Sequence, residues 1–170
     1  MKKLSFLIIF LSAFLIKGFS IEKPQKEDEI LQHAFFYLPE YGTLQQDKYG
    51  FVYVDIDDDY IDDLWPYIET EGFKVPPYFR GRDFHGAHIS VVYEPEAKIY
   101  NLGAIAEIGK TVYFKIKDCQ IVSLPNDNWD SVCLLIVEAP YLSKIRKKYG
   151  LPAMKHDFHI TIGIKTKPHL

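Results

Sequence analysis

The chain has 170 residues, with 20 Lys and Arg against 23 Asp and Glu and a net charge of −3. Proteins that track long nucleic acids show a basic stripe, and this balance supplies none, so no long duplex is expected as a partner. The length suits one domain with a single core, expected as a monomer.

Residues 1–20 follow the order of a secretory signal peptide: Lys2 and Lys3, an apolar run over 4–16, then the small residues Gly18 and Ser20. The apolar run is short for a bilayer span. Cleavage and a secreted or periplasmic location are expected, with no membrane contact afterwards; an uncleaved anchor is the alternative. Removal takes three lysines and no acid, leaving 17 basic against 23 acidic residues and a net charge of −6. Residues 21–48 read as a polar leader with a helix, and 49–170 as the domain.

Residues 49–57, YGFVYVDID, alternate as a strand between Gly50 and an Asp cluster. In 59–72, DYIDDLWPYIETEG, apolar residues recur at helical spacing. Pro66 fits the first turn of a helix capped at Asp62 or Asp63, or kinks one capped at Asp57. After Pro76 and Pro77 a strand spans 87–93, with His88 and Ser90 on one face and Ile89 and Val91 on the other.

The same order then recurs. Residues 111–124 and 131–139 read as a hairpin; with its centre near Asn126, Cys119 lies opposite Cys133. In an exported protein that pair predicts a disulfide, worth about 3 kcal/mol in the chain-entropy estimate. A helix opens at Pro140 and ends at Gly150, a loop holds Pro152, and in KHDFHITIGIK (155–165) His159 and Thr161 share one face of a strand. Both halves thus read strand, helix, loop, then a strand carrying His-apolar-Ser/Thr-apolar. With six histidines in the chain, two such matches are a coincidence on the order of one in a hundred.

On HISV (88–91) and HITI (159–162) the chain resembles the two-histidine (2H) phosphoesterases, whose signature is two copies of H-x-[ST]-x. FRGRDFHGAHISVVY (79–93) looks most like the Swiss Army Knife group; RNA 2',3'-cyclic phosphodiesterases, once named 2'-5' RNA ligases, are relatives. The resemblance implies a bilobal α+β fold, with two pseudo-symmetric strand-helix-strand units and antiparallel sheets around a central cleft. It also implies phosphodiester chemistry on 2',3'-cyclic phosphates or 2'-5'-linked oligonucleotides. A serine in the first motif and a secretory leader depart from the commoner pattern.

The residues suit that chemistry. Imidazole titrates near neutrality, so His88 and His159 can serve as base and acid, while Ser90 and Thr161 donate to nonbridging oxygens. No cofactor is required. Arg80, Arg82 and Lys155 precede the motifs and are candidate phosphate contacts; Tyr78, Phe79 and Tyr93 are candidates to stack on a base. A metal-dependent phosphohydrolase using His85, His88, His156 and His159 is a rival, although i and i+3 point to opposite faces of a strand. A non-catalytic nucleotide-binding module is a third reading.

Overall fold

Two hairpin-helix-strand units organise the chain. The first comprises β1 (Tyr41–Gln46), β2 (Val52–Asp55), the short helices α2 (Asp59–Asp62) and α3 (Pro66–Glu69), and β3 (His88–Val92). The second comprises β5 (Lys115–Ser123), β6 (Trp129–Glu138), α5 (Pro140–Lys148) and β7 (His159–Thr166). Helix α1 (Gln25–Tyr37) precedes them; α4 (Glu94–Ile99) and β4 (Thr111–Tyr113) lie between. This computed structural model describes residues 25–79, 85–124 and 129–167. The expected signal peptide, Arg80, Arg82 and the hairpin centre at Asn126 lie outside the described residues.

Among the described residues, the seven strands form one antiparallel sheet in the order β4-β1-β2-β3-β7-β6-β5. The fold is α+β, and its two halves meet at the β3-β7 pair as one continuous sheet. β4 and β5 sit at opposite edges of that order yet are separated in the chain by Phe114 alone. A flat seven-stranded sheet would hold its edges about 29 Å apart, whereas one residue spans about 3.6 Å. The sheet therefore curls until the end of β4 meets the start of β5. Glu40 pins this corner, its carbonyl accepting from Phe114 N–H at 3.1 Å and its carboxylate from Ile116 N–H at 2.7 Å.

One face of the sheet carries Ile89, Val91, Ile160 and Ile162, fully buried against Ile61, Leu64 and Ile68 of the α2-α3 segment and Leu142 and Ile145 of α5. The opposite face carries the motif residues. At Gly163 of β7 a Cβ would meet the end of the Ile68 side chain of α3 at 2.7 Å, so the glycine lets the two pack closely.

Several local expectations are corrected. Residues 59–72 form two short helices, because Pro66 starts the second at its first turn, where its missing N–H costs little. β1 lies in the stretch read as leader and pairs with β2 and β4. The run 111–124 divides at Phe114 into two strands on opposite edges. The hairpin register pairs Cys119 with Leu135 and Cys133 with Ile121, so the cysteines are diagonal neighbours, not opposite. Both thiols are buried and free, and the Cys133 thiol is held well above its usual range by its hydrogen bond with Cys119 and by burial.

Candidate active site

The site begins with register. Ile89 of β3 pairs with Ile160 of β7, antiparallel, which sets His88 opposite Thr161 and Ser90 opposite His159. Each histidine thus neighbours the hydroxyl residue of the other motif, about a pseudo-twofold through the Ile89–Ile160 pair. The two histidines are diagonal neighbours, roughly 7 Å apart.

Their rings are held alike. His88 Nδ1 donates to the carbonyl of Gly86 and His159 Nδ1 to that of Asp157, both at 2.9 Å. A carbonyl only accepts, so each Nδ1 carries a proton and each Nε2 is left to exchange one with substrate. Gly86 can aim its carbonyl at His88 because it adopts φ +60°, and a Cβ there would strike Asp58 Oδ1 at 2.5 Å. The same oxygen accepts from Ala87 N–H at 2.8 Å, fixing the approach to β3.

Burial lowers the pKa of His88, as do His85 and His159, with the Gly86 bond opposing. Burial also lowers that of His159, helped by His156 and opposed by the Asp157 carbonyl and carboxylate. The neutral form of each ring therefore persists to more acidic pH than in a free imidazole.

Around this centre the two halves differ. On the β2 side, Asp55 pairs with His88 and Tyr53 with Ser90. On the β6 side, Ile136 pairs with His159 and Leu134 with Thr161. A cavity of about 390 Å³ opens from His159 and Thr161 across β6 and β5, floored by Val132, Leu134, Ile136 and Val122 and bounded by Trp129 and Tyr93. Tyr78 stands at the boundary of this cavity, its ring 4.9 Å from that of His88 and its hydroxyl hydrogen-bonded to Thr161. Burial pushes the Tyr78 phenol up to about 12, so it keeps its proton at neutral pH.

The remaining candidates separate. Tyr93 borders the cavity, whereas Phe79 is largely buried and lines a separate pocket with Tyr53, Asp55 and His85. Lys155 is exposed and outside the cavity wall. His85 and His156 precede the strands, so strand alternation does not govern them. Their rings lie 6.0 and 5.9 Å from His88 and His159, and His156 borders the cavity, contrary to the expectation that it faces away. His85 Nε2 lies 3.4 Å from Asp47 Oδ2. Among the described residues, no group of three or more His, Cys, Asp or Glu is placed to hold a metal ion.

The model of the family described as Swiss Army Knife, 2H phosphoesterase domain, matches residues 52–169. The chain belongs to this family. No curated protein and no solved structure matches it. The matched region of this 2H phosphoesterase spans both motifs and every strand from β2 to β7, and membership supports phosphodiester chemistry in general.

Sequence reasoning missed Tyr53, Asp55, Leu134 and Ile136 as neighbours of the motifs, because cross-strand register is not written in either strand alone. It also missed Arg146. That residue is 2 % exposed and its guanidinium donates to Glu96 in a bidentate pair, to the Val91 carbonyl of β3 and to the Pro152 carbonyl in the loop before the second motif. One side chain thereby joins α5 to the end of β3, to α4 and to the loop after α5.

Proposed function

We propose that this 2H phosphoesterase is a metal-independent phosphodiesterase of small nucleotide or RNA-end substrates, such as 2',3'-cyclic phosphates or 2'-5'-linked oligonucleotides. The observation that carries the reading is the Ile89–Ile160 register, which sets two equivalently held histidines and two hydroxyls around one point on the sheet. A neutral Nε2 on one histidine takes the proton of the attacking hydroxyl or water as its oxygen bonds to phosphorus. The other histidine, protonated on Nε2, gives its proton to the leaving oxygen as the P–O bond breaks. Ser90 and Thr161 donate to nonbridging oxygens. Tyr78, protonated at neutral pH, shares a hydrogen bond with Thr161 and so fixes where its hydroxyl sits. Export in a secreted or periplasmic form, as a monomer without a resident cofactor, belongs to the same proposal.

The test is turnover of a panel of cyclic phosphates and 2'-5' dinucleotides in excess chelator. Activity retained under chelation supports the reading; activity recovered only with zinc or manganese supports a metal-dependent mechanism instead. Ser90→Ala and Thr161→Ala are each expected to lower kcat/KM by an amount worth about 1 to 3 kcal/mol, one donor to a charged oxygen apiece. His85→Ala and His156→Ala are expected to cost less than loss of His88 or His159. Steady-state kinetics on the same substrate measures all four.

A further inference from the structure

The two halves of the site share a register but not a chemistry. At equivalent positions beside the motif residues, the β2 side places Asp55 and Tyr53, and the β6 side places Ile136 and Leu134. His85 and Asp47 continue this polar set beyond β2, with the Phe51 ring packed against those of Tyr53, His85 and His88. Val132, Val122 and Trp129 continue the apolar character beyond Leu134. The apolar trough is lined by His159 and Thr161 themselves, so an occupant lies directly beside the motif residues. Its described walls carry no Lys or Arg and include the carboxyl residue Asp157, which disfavours a second phosphate. Its volume of about 390 Å³ falls within the range of ligand pockets, about 300–1,000 Å³.

We infer that the His159 side is a subsite for an apolar ester substituent, alkyl or aryl, on a phosphodiester whose polar, hydroxyl-bearing half lies on the His88 side. This rests on the phosphodiesterase reading and, within it, favours mixed diesters with one nucleoside-like and one apolar arm over 2'-5'-linked oligonucleotides. A dinucleotide would place a hydrogen-bonding sugar against Leu134 and Ile136, where nothing on those side chains can satisfy it.

The experiment uses the full chain and methyl, butyl and hexyl esters of one nucleoside monophosphate, with the matching dinucleotide as competitor. Each methylene that enters the trough is expected to raise kcat/KM by up to about fourfold, the equivalent of burying one CH₂. Leu134→Gln and Trp129→Ala are expected to flatten that dependence. Binding of the same series to His88→Ala, followed by calorimetry, separates the two claims. Affinity that rises with chain length while the wild-type protein turns nothing over keeps the subsite and overturns the phosphodiesterase reading. Turnover and affinity indifferent to chain length, or a dinucleotide preferred over the hexyl ester, overturn the subsite and keep that reading.

Discussion

Replacing either His88 or His159 with alanine is expected to lower kcat/KM on a small cyclic phosphodiester by roughly 10² to 10⁴-fold, because each change removes one proton-transfer role. The two rings occupy equivalent positions, diagonal across the β3-β7 pair, each steered by a carbonyl two residues earlier. Neither lies on the core face, where Ile89 and Ile160 are fully buried, so far-ultraviolet circular dichroism and the melting temperature should change little. The double variant should lose little beyond the worse single one, since acid and base act on one transition state. Full additivity in stopped assays would mean that the two histidines serve separate steps.

Arg146→Met is expected to destabilise the fold by about 3 to 5 kcal/mol, the usual result of leaving one partner of a buried ion pair uncompensated. The guanidinium reaches Glu96, Val91 and Pro152 from a nearly fully buried position, and a thioether can satisfy none of them. For a domain of this size the melting temperature should fall by roughly 10 °C. Glu96→Met in the Arg146→Met background should recover part of the loss, because the carboxylate is then no longer buried without its cation. A melting temperature unchanged by Arg146→Met would show that the pair contributes nothing to joining α5 to the end of β3.

The candidate pair of histidines was legible because its signal is local. A strand has a period of two, so His-x-Ser/Thr announces two polar groups on one face, and a second copy announces a partner. The Ile89–Ile160 register was not legible, since neither strand states which residue it opposes. Its consequences, the contrast of Asp55 and Tyr53 with Ile136 and Leu134, were hidden with it. The hairpin expectation missed by one residue at its centre, and that shift moves Cys133 from opposite Cys119 to opposite Ile121. β1 escaped notice because YGTLQQ holds one large aliphatic residue, Leu44, and draws its order from pairing on both edges. Arg146 sits in a run of basic residues at the end of α5 and reads as part of a solvated face. Its burial follows from Glu96, fifty positions away in the chain, which no helical periodicity can announce.

The pH dependence of kcat/KM tests most directly whether this pair does the chemistry. Productive free enzyme holds one histidine neutral and the other protonated, so the profile should be bell-shaped, with both limbs belonging to the pair. Burial lowers both pKa values; the acidic limb, where the base becomes protonated, and the alkaline limb, where the acid loses its proton, both shift downward. The optimum should therefore lie below the ordinary imidazole value of about 6.5, and His88→Ala or His159→Ala should each remove one limb from the residual activity. A profile that keeps both limbs in either variant, or an optimum well above neutrality, would contradict the assignment of base and acid to His88 and His159.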